Sequence, residues 1–105
     1  MKSKRTKACE IPMSVKQIVY ERDKGLCIIC GKAGVPNAHF IRRSAGGLGI
    51  EQNIVTLCPI CHHNYDNGNL RKEIGNVIAN YLKSIYGEIW NEQDLIYDKW
   101  RKHEQ

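Results

Sequence analysis

Two Cys-x-x-Cys pairs, Cys27 with Cys30 and Cys58 with Cys61, constrain this chain more than any other feature. Each pair can place two thiolates on one side of a tight turn, and two such turns make a closed tetrahedral site of the kind that holds structural zinc. Between and just after the pairs stand His39, Arg42, Arg43, Asn53, His62 and His63. Four cysteines fill one tetrahedron and leave the histidines for other chemistry; three cysteines plus His62 is the alternative the spacing allows. The fifth cysteine, Cys9, is read as an ordinary free thiol.

A chain of 105 residues is expected to form one domain, too small to bury a large apolar core. A structural zinc site contributes roughly 10–16 kcal/mol of apparent binding energy in small finger peptides, so the metal is expected to be needed for folding. The formal net charge of +5 favours a polyanionic partner, and Lys2, Lys4, Arg5 and Lys7 make the N-terminus basic. Residues 1–12 read as a flexible basic arm, equally consistent with a solvated tail, and residues 13–105 as the domain. No stretch reaches the roughly 18 apolar residues that cross a membrane, and the start lacks the apolar core of a secretory signal. Together with the odd, paired cysteine usage, this places the chain in a reducing, intracellular compartment.

Local patterns set the expected elements. Ser14 and Gln17 have capping-box spacing ahead of Val15, Ile18 and Val19, predicting a helix to about Asp23. A strand is expected over about Asn37 to Arg42, then a glycine-rich loop, a second strand over Asn53 to Leu57, and a helix of about two turns from Pro59 to Asp66. Leu70, Ile74, Val77, Ile78, Tyr81, Leu82 and Ile85 have the spacing of an amphipathic helix ending near Gly87, with the stripe as core. A last helix is expected over about Glu92 to Lys102, capped by Asn91, with Trp90, Tyr97 and Trp100 packing against that stripe.

In this order the residues resemble the HNH endonuclease family, named for a histidine, an asparagine and a histidine on a ββα-metal finger. The resemblance covers about Arg22 to Asp66 and rests on Ala38-His39-Phe40-Ile41, Arg43-Ser44, Gly46-Gly47, Asn53-Ile54-Val55 and Leu57-Cys58-Pro59-Ile60-Cys61-His62. The whole chain looks like the small stand-alone HNH proteins of bacteriophages and prophages. The implied fold is a small α+β domain. In it an N-terminal helix precedes a ββα finger at about 22–68, clipped by the zinc cysteines, and a C-terminal helical part occupies about 69–105.

The resemblance implies metal-dependent hydrolysis of DNA phosphodiester bonds, by nicking or double-strand cleavage. His39, with an unperturbed pKa near 6.5, is suited to be the general base. Asn53 is implied to tie the loop so that His39 stays in register. His62 is implied to ligate a catalytic divalent cation, Mg²⁺, Mn²⁺ or Ni²⁺, with Asp66 one turn on along the same helix face. Many family members carry an Asp or His ligand immediately before the base, where this chain has Ala38. Of Arg42 and Arg43, strand alternation sends only one into the site. Arg43 matches the family's arginine before serine, leaving Arg42 to pair with an acid such as Glu51 or to reach the DNA backbone. His63 is expected on the surface or against DNA.

Two further readings fit the same residues: a zinc-stabilised DNA-binding module without catalysis, and an accessory protein of phage packaging. The second follows from the frequent company of such proteins with terminases. As a phage-type protein it is expected in the cytoplasm of a bacterial host cell, as a monomer or dimer.

Overall fold

The computed structural model describes residues 2–98. Ser3 opens the first helix, α1 (Lys4–Cys9), its Oγ accepting the Thr6 N–H at 3.1 Å. The N-terminal stretch is therefore folded where a flexible arm was expected. Tertiary contacts hold it. Arg5 donates to the Ser44 carbonyl at 3.1 Å, and the Gly49 N–H donates to the Ala8 carbonyl at 3.0 Å. Gly49 has no room for a side chain there, since a Cβ would stand 1.8 Å from the Glu10 carbonyl oxygen.

Helix α2 (Met13–Arg22) starts two residues earlier than the Ser14 capping pattern predicts. Pro12, with φ −65°, occupies the N-cap and no side chain caps the end, so Ser14 lies inside the first turn. Of the expected apolar face only Val19 is buried; Ile18 is exposed. Lys24 and Gly25 then take positive φ and turn the chain into the first cysteine pair.

Strand β1 (Val35–His39) pairs antiparallel with β2 (Ile54–Leu57). Val35 faces Leu57 and Ala38 faces Val55, so three steps on β1 oppose two on β2. The extra residue is a bulge at Pro36-Asn37, where proline has no N–H to give the ladder. Its consequence is the phase of the strand's end: Ala38 is fully buried in the core and His39 turns to the other face. The strand stops at His39, three residues short of expectation, and a turn of 3-10 helix (Arg43–Ala45) follows.

Helix α3 (Pro59–Asp66) has the expected bounds, because Cys58 caps it through Sγ and Pro59 occupies its first turn. In helix α4 (Arg71–Tyr86), Ile74, Ile78 and Leu82 are buried, while Leu70, Val77 and Ile85 are exposed edges of the predicted stripe. The core joins these three residues to Phe40, Val55, Leu57 and Tyr65. Trp90 closes it, 5.7 Å from the Phe40 ring, with Nε1 donating to the Gln52 carbonyl at 2.9 Å.

A buried polar clamp sets α2 against β2 and α4. Arg22 donates to the carbonyls of Glu51 and Ile54 at 2.8 and 2.7 Å and pairs with Asp23. Asp23 in turn accepts the Thr56 N–H at 2.9 Å and the Tyr81 hydroxyl.

Among the described residues no long helix follows Asn91. Asn91 does cap, accepting the Gln93 N–H, but only a short 3-10 helix (Glu92–Leu95) results. The Leu95 carbonyl accepts from Leu48, and the Tyr97 N–H donates to Gly46. These bridges to the glycine-rich loop take the backbone groups a helix would need. Trp100 and the predicted end at Lys102 lie outside the described residues. The molecule is thus an α+β fold with a two-stranded sheet, and no helix among the described residues is long and apolar enough to cross a membrane.

Candidate functional site

The four paired cysteines converge as their spacing predicts. The Sγ atoms of Cys27, Cys30, Cys58 and Cys61 all lie within 4.8 Å of one another, with Cys30 and Cys58 3.6 Å apart. Four thiolates around a zinc ion at about 2.3 Å would stand about 3.8 Å apart, so the cluster can hold a metal ion with little movement. Electrostatics agree. Burial pushes the Cys27 thiol up, but N–H donors on Cys30, Cys58 and Ile29 outweigh it and hold it at about 7. Burial and the three surrounding sulfurs push Cys61 up. A cation among the sulfurs would remove that conflict. His62 is engaged elsewhere, with Asp66, and is not in the cluster.

A second feature lies on the opposite side of α3. An open cleft of about 710 Å³ is walled by His39 of β1, by Arg42 and Arg43 of the following loop, and by His62 and Asp66 of α3. Glu10, Ile11, Lys16 and Asn37 complete the wall.

His39 is half-buried, and its Nε2 lies 2.8 Å from the Cys9 carbonyl oxygen. A carbonyl only accepts, so Nε2 carries the proton. In the neutral ring Nδ1 is then the basic nitrogen, and no hydrogen bond to it occurs among the described residues. Burial lowers the pKa of this histidine; the Cys9 carbonyl raises it, and the positive charge of Arg43 lowers it further. The net direction is down, which keeps the ring neutral at physiological pH.

Asn53 is fully buried beneath this wall. Its Oδ1 accepts the Ile41 N–H at 2.8 Å, and its Nδ2 donates to the carbonyls of Ile41 and Leu48 at 3.2 and 2.8 Å. One amide thereby staples both ends of the loop that carries Arg42 and Arg43. Gly47 crosses close beneath, where a Cβ would stand 1.6 Å from the Ile41 carbonyl oxygen.

On α3, His62 Nε2 and Asp66 Oδ2 are 3.0 Å apart, as their i, i+4 spacing allows. Two ligands at right angles on one Mg²⁺-sized ion, each about 2.1 Å from it, have about that separation. Ala38 contributes nothing here. Its side chain is in the core, so the position before His39 faces away from the cleft.

Two sequence expectations require correction. Arg42 and Arg43 both line the cleft, because they follow the end of β1 and strand alternation does not apply to them. Glu51 is no partner for Arg42; its carboxylate accepts from the Tyr86 hydroxyl at 2.7 Å and its carbonyl from Arg22. His63 is exposed on α3, as expected of a surface side chain, and does not line the cleft. Lys16 and Glu10 were missed, since nothing local in the sequence marks them; the docking of the N-terminal segment on the glycine-rich loop brings Glu10 here, and the packing of α2 on the sheet brings Lys16. Tyr65 belongs to the core, its hydroxyl donating to the Phe40 carbonyl at 2.6 Å.

No family model matches the chain. Among curated proteins it is similar to anaredoxin of Nostoc sp. (strain PCC 7120 / SAG 25.82 / UTEX 2576), 38% identical over 50 residues. That alignment covers 46% of this chain and 66% of the relative, just short of two thirds of the relative's length.

Proposed function

We propose that the chain is a metal-dependent DNA endonuclease of the HNH type that its residues resemble, with structural zinc in the four-cysteine cluster. The observation that carries this reading is the shared cleft, with a neutral imidazole on one wall and the His62–Asp66 pair on the other. Two guanidiniums lie between the walls.

The chemistry then divides among the chain's own groups. Nδ1 of His39 takes the proton from water as it attacks the phosphorus in line with the departing 3′ oxygen. The Cys9 carbonyl holds the ring in the tautomer that makes this possible. Arg42 and Arg43 neutralise the non-bridging oxygens, on which charge grows in the transition state. Asn53 keeps both arginines and the base in one register. A divalent cation held by His62 and Asp66 would supply Lewis-acid stabilisation of the scissile phosphate and leaving oxygen. By the resemblance, the products carry a 5′ phosphate and a 3′ hydroxyl.

Supercoiled plasmid with Mg²⁺, Mn²⁺ or Ni²⁺ tests this, read as conversion to the nicked circle with a chelator control. Metal-dependent nicking is the expected result. Retention of the plasmid without cleavage under every metal would replace the nuclease by a zinc-stabilised DNA-binding module.

A second reading is favoured by one finding, the redox ending in the name of the similar Nostoc protein. Four thiolates also hold iron, and N–H donors to the Cys27 and Cys58 sulfurs tune such a site for electron transfer. Metal analysis separates the two. Zinc supports the nuclease scaffold, whereas one iron with a reversible reduction potential supports the redox protein.

A further inference from the structure

The charges lining the cleft are unequally satisfied. Its two carboxylates have partners within the chain: Glu10 pairs with Lys2, and Asp66 with His62 and, at 4.0 Å, Arg71. Its three cations, Lys16, Arg42 and Arg43, make no ion pair among the described residues. Lys16 is half-buried in the first turns of α2, an element separate from the loop that carries the arginines.

An ammonium on the cleft wall with no counterion among the described residues is available to an outside anion. One phosphate does not use this cleft fully. At roughly 30 Å³ of liquid per water, its volume of about 710 Å³ has room for on the order of 20 waters, several times what one phosphate displaces. Resting on the nuclease reading above, we propose that Lys16 forms a second phosphate position. It takes a phosphate flanking the scissile one on the same strand, while Arg42 and Arg43 take the scissile phosphate. The substrate class is accordingly an internal link of a polynucleotide, with charge on both sides of the cut, and not a terminal phosphomonoester or a mononucleotide.

The test measures binding without cleavage. Fluorescence anisotropy of a labelled oligonucleotide without added Mg²⁺, Mn²⁺ or Ni²⁺ follows affinity against salt for the zinc-loaded protein, for Lys16→Gln and Lys16→Arg, and for Lys83→Gln on α4, which does not line the cleft. Loss of one phosphate contact is expected to reduce the log–log salt slope by about 0.7–0.9 in Lys16→Gln, with severalfold weaker binding near 0.15 M salt. Lys16→Arg and Lys83→Gln should keep the wild-type slope. Oligonucleotides with one neutral methylphosphonate, moved link by link, should include one flanking position that weakens the wild type and leaves Lys16→Gln unaffected. An unchanged slope in Lys16→Gln, or the absence of any such position, overturns the proposal; circular dichroism of each variant confirms that the fold is retained. Plasmid nicking with metal is read in parallel. A reduced slope in a protein that never cleaves would keep the second phosphate position and discard the nuclease, whereas normal cleavage with an unchanged slope would do the reverse.

Discussion

Changing Asn53 to aspartate alters a single atom of consequence. The remaining Oδ1 still accepts the Ile41 N–H, but an oxygen replaces the Nδ2 that donates to the carbonyls of Ile41 and Leu48. The buried Leu48 carbonyl and the part-buried Ile41 carbonyl then lose their donor, at about 1–3 kcal/mol for the buried one, and a carboxylate is left in a fully buried position. The expected loss is at least about 3 kcal/mol, a large share of the roughly 5–15 kcal/mol that stabilises an ordinary domain. In urea titration at pH 7 with zinc in fixed excess, this lowers the midpoint by on the order of 2 M for a slope of about 1–2 kcal/mol/M. The pH dependence gives an internal control. Burial and the facing carbonyls raise the folded-state pKa of the new carboxyl above its unfolded value of about 3.9. The deficit relative to wild type is therefore full above the folded pKa and shrinks as pH falls through it, because the protonated carboxyl can donate to a carbonyl. A variant with the wild-type midpoint at pH 7, or a deficit that grows as pH falls, would refute the role of Asn53 as the staple of the loop.

Three other outcomes follow from the same geometry. Cys58→Ser removes a thiolate while its Oγ can still cap α3, so zinc stoichiometry by mass spectrometry and the cooperative thermal transition should be lost together through the metal alone. Gly49→Ala forces a Cβ against the Glu10 carbonyl and should cost about 1–3 kcal/mol or more, with α1 becoming cleavable in limited proteolysis. Nicking rate should rise with pH to a plateau, its midpoint below the ordinary imidazole value of about 6.5, because the base must be neutral and the fold lowers its pKa. Arg43→Gln should slow the reaction and move that midpoint upward, since the Arg43 charge is one of the causes of the lowering.

What was legible in the sequence is what local chemistry dictates. Cysteine spacing announces a thiolate cluster wherever the rest of the chain goes, and Cys58-Pro59 marks the start of α3 because the cap and the missing N–H act within one turn. The α4 stripe is readable because 3.6-residue periodicity places Ile74, Ile78 and Leu82 on one face. What was illegible depends on distant contacts. Six polar and small residues carry no pattern that predicts α1; Arg5 and Gly49 hold it from outside. The C-terminal helix stops at Leu95 because Leu48 and Gly46 take its backbone groups. β1 ends at His39, so both arginines lie beyond the strand and line the cleft, an outcome that a period-two reading of a strand to Arg42 cannot reach. Glu10 joins the site for the same reason as α1 folds, Lys16 because α2 packs on the sheet, and no spacing of theirs announces it.

The central claim is that the imidazole of His39 removes a proton from water in the cleft. Single-turnover nicking by zinc-loaded His39→Ala, at a saturating concentration of whichever divalent metal supports the wild type, tests it most directly. The account expects a rate at least about 10²-fold below wild type, the usual contribution of a positioned base, with DNA affinity and thermal stability nearly unchanged. A folded His39→Ala protein that nicks within a few-fold of the wild-type rate would contradict it.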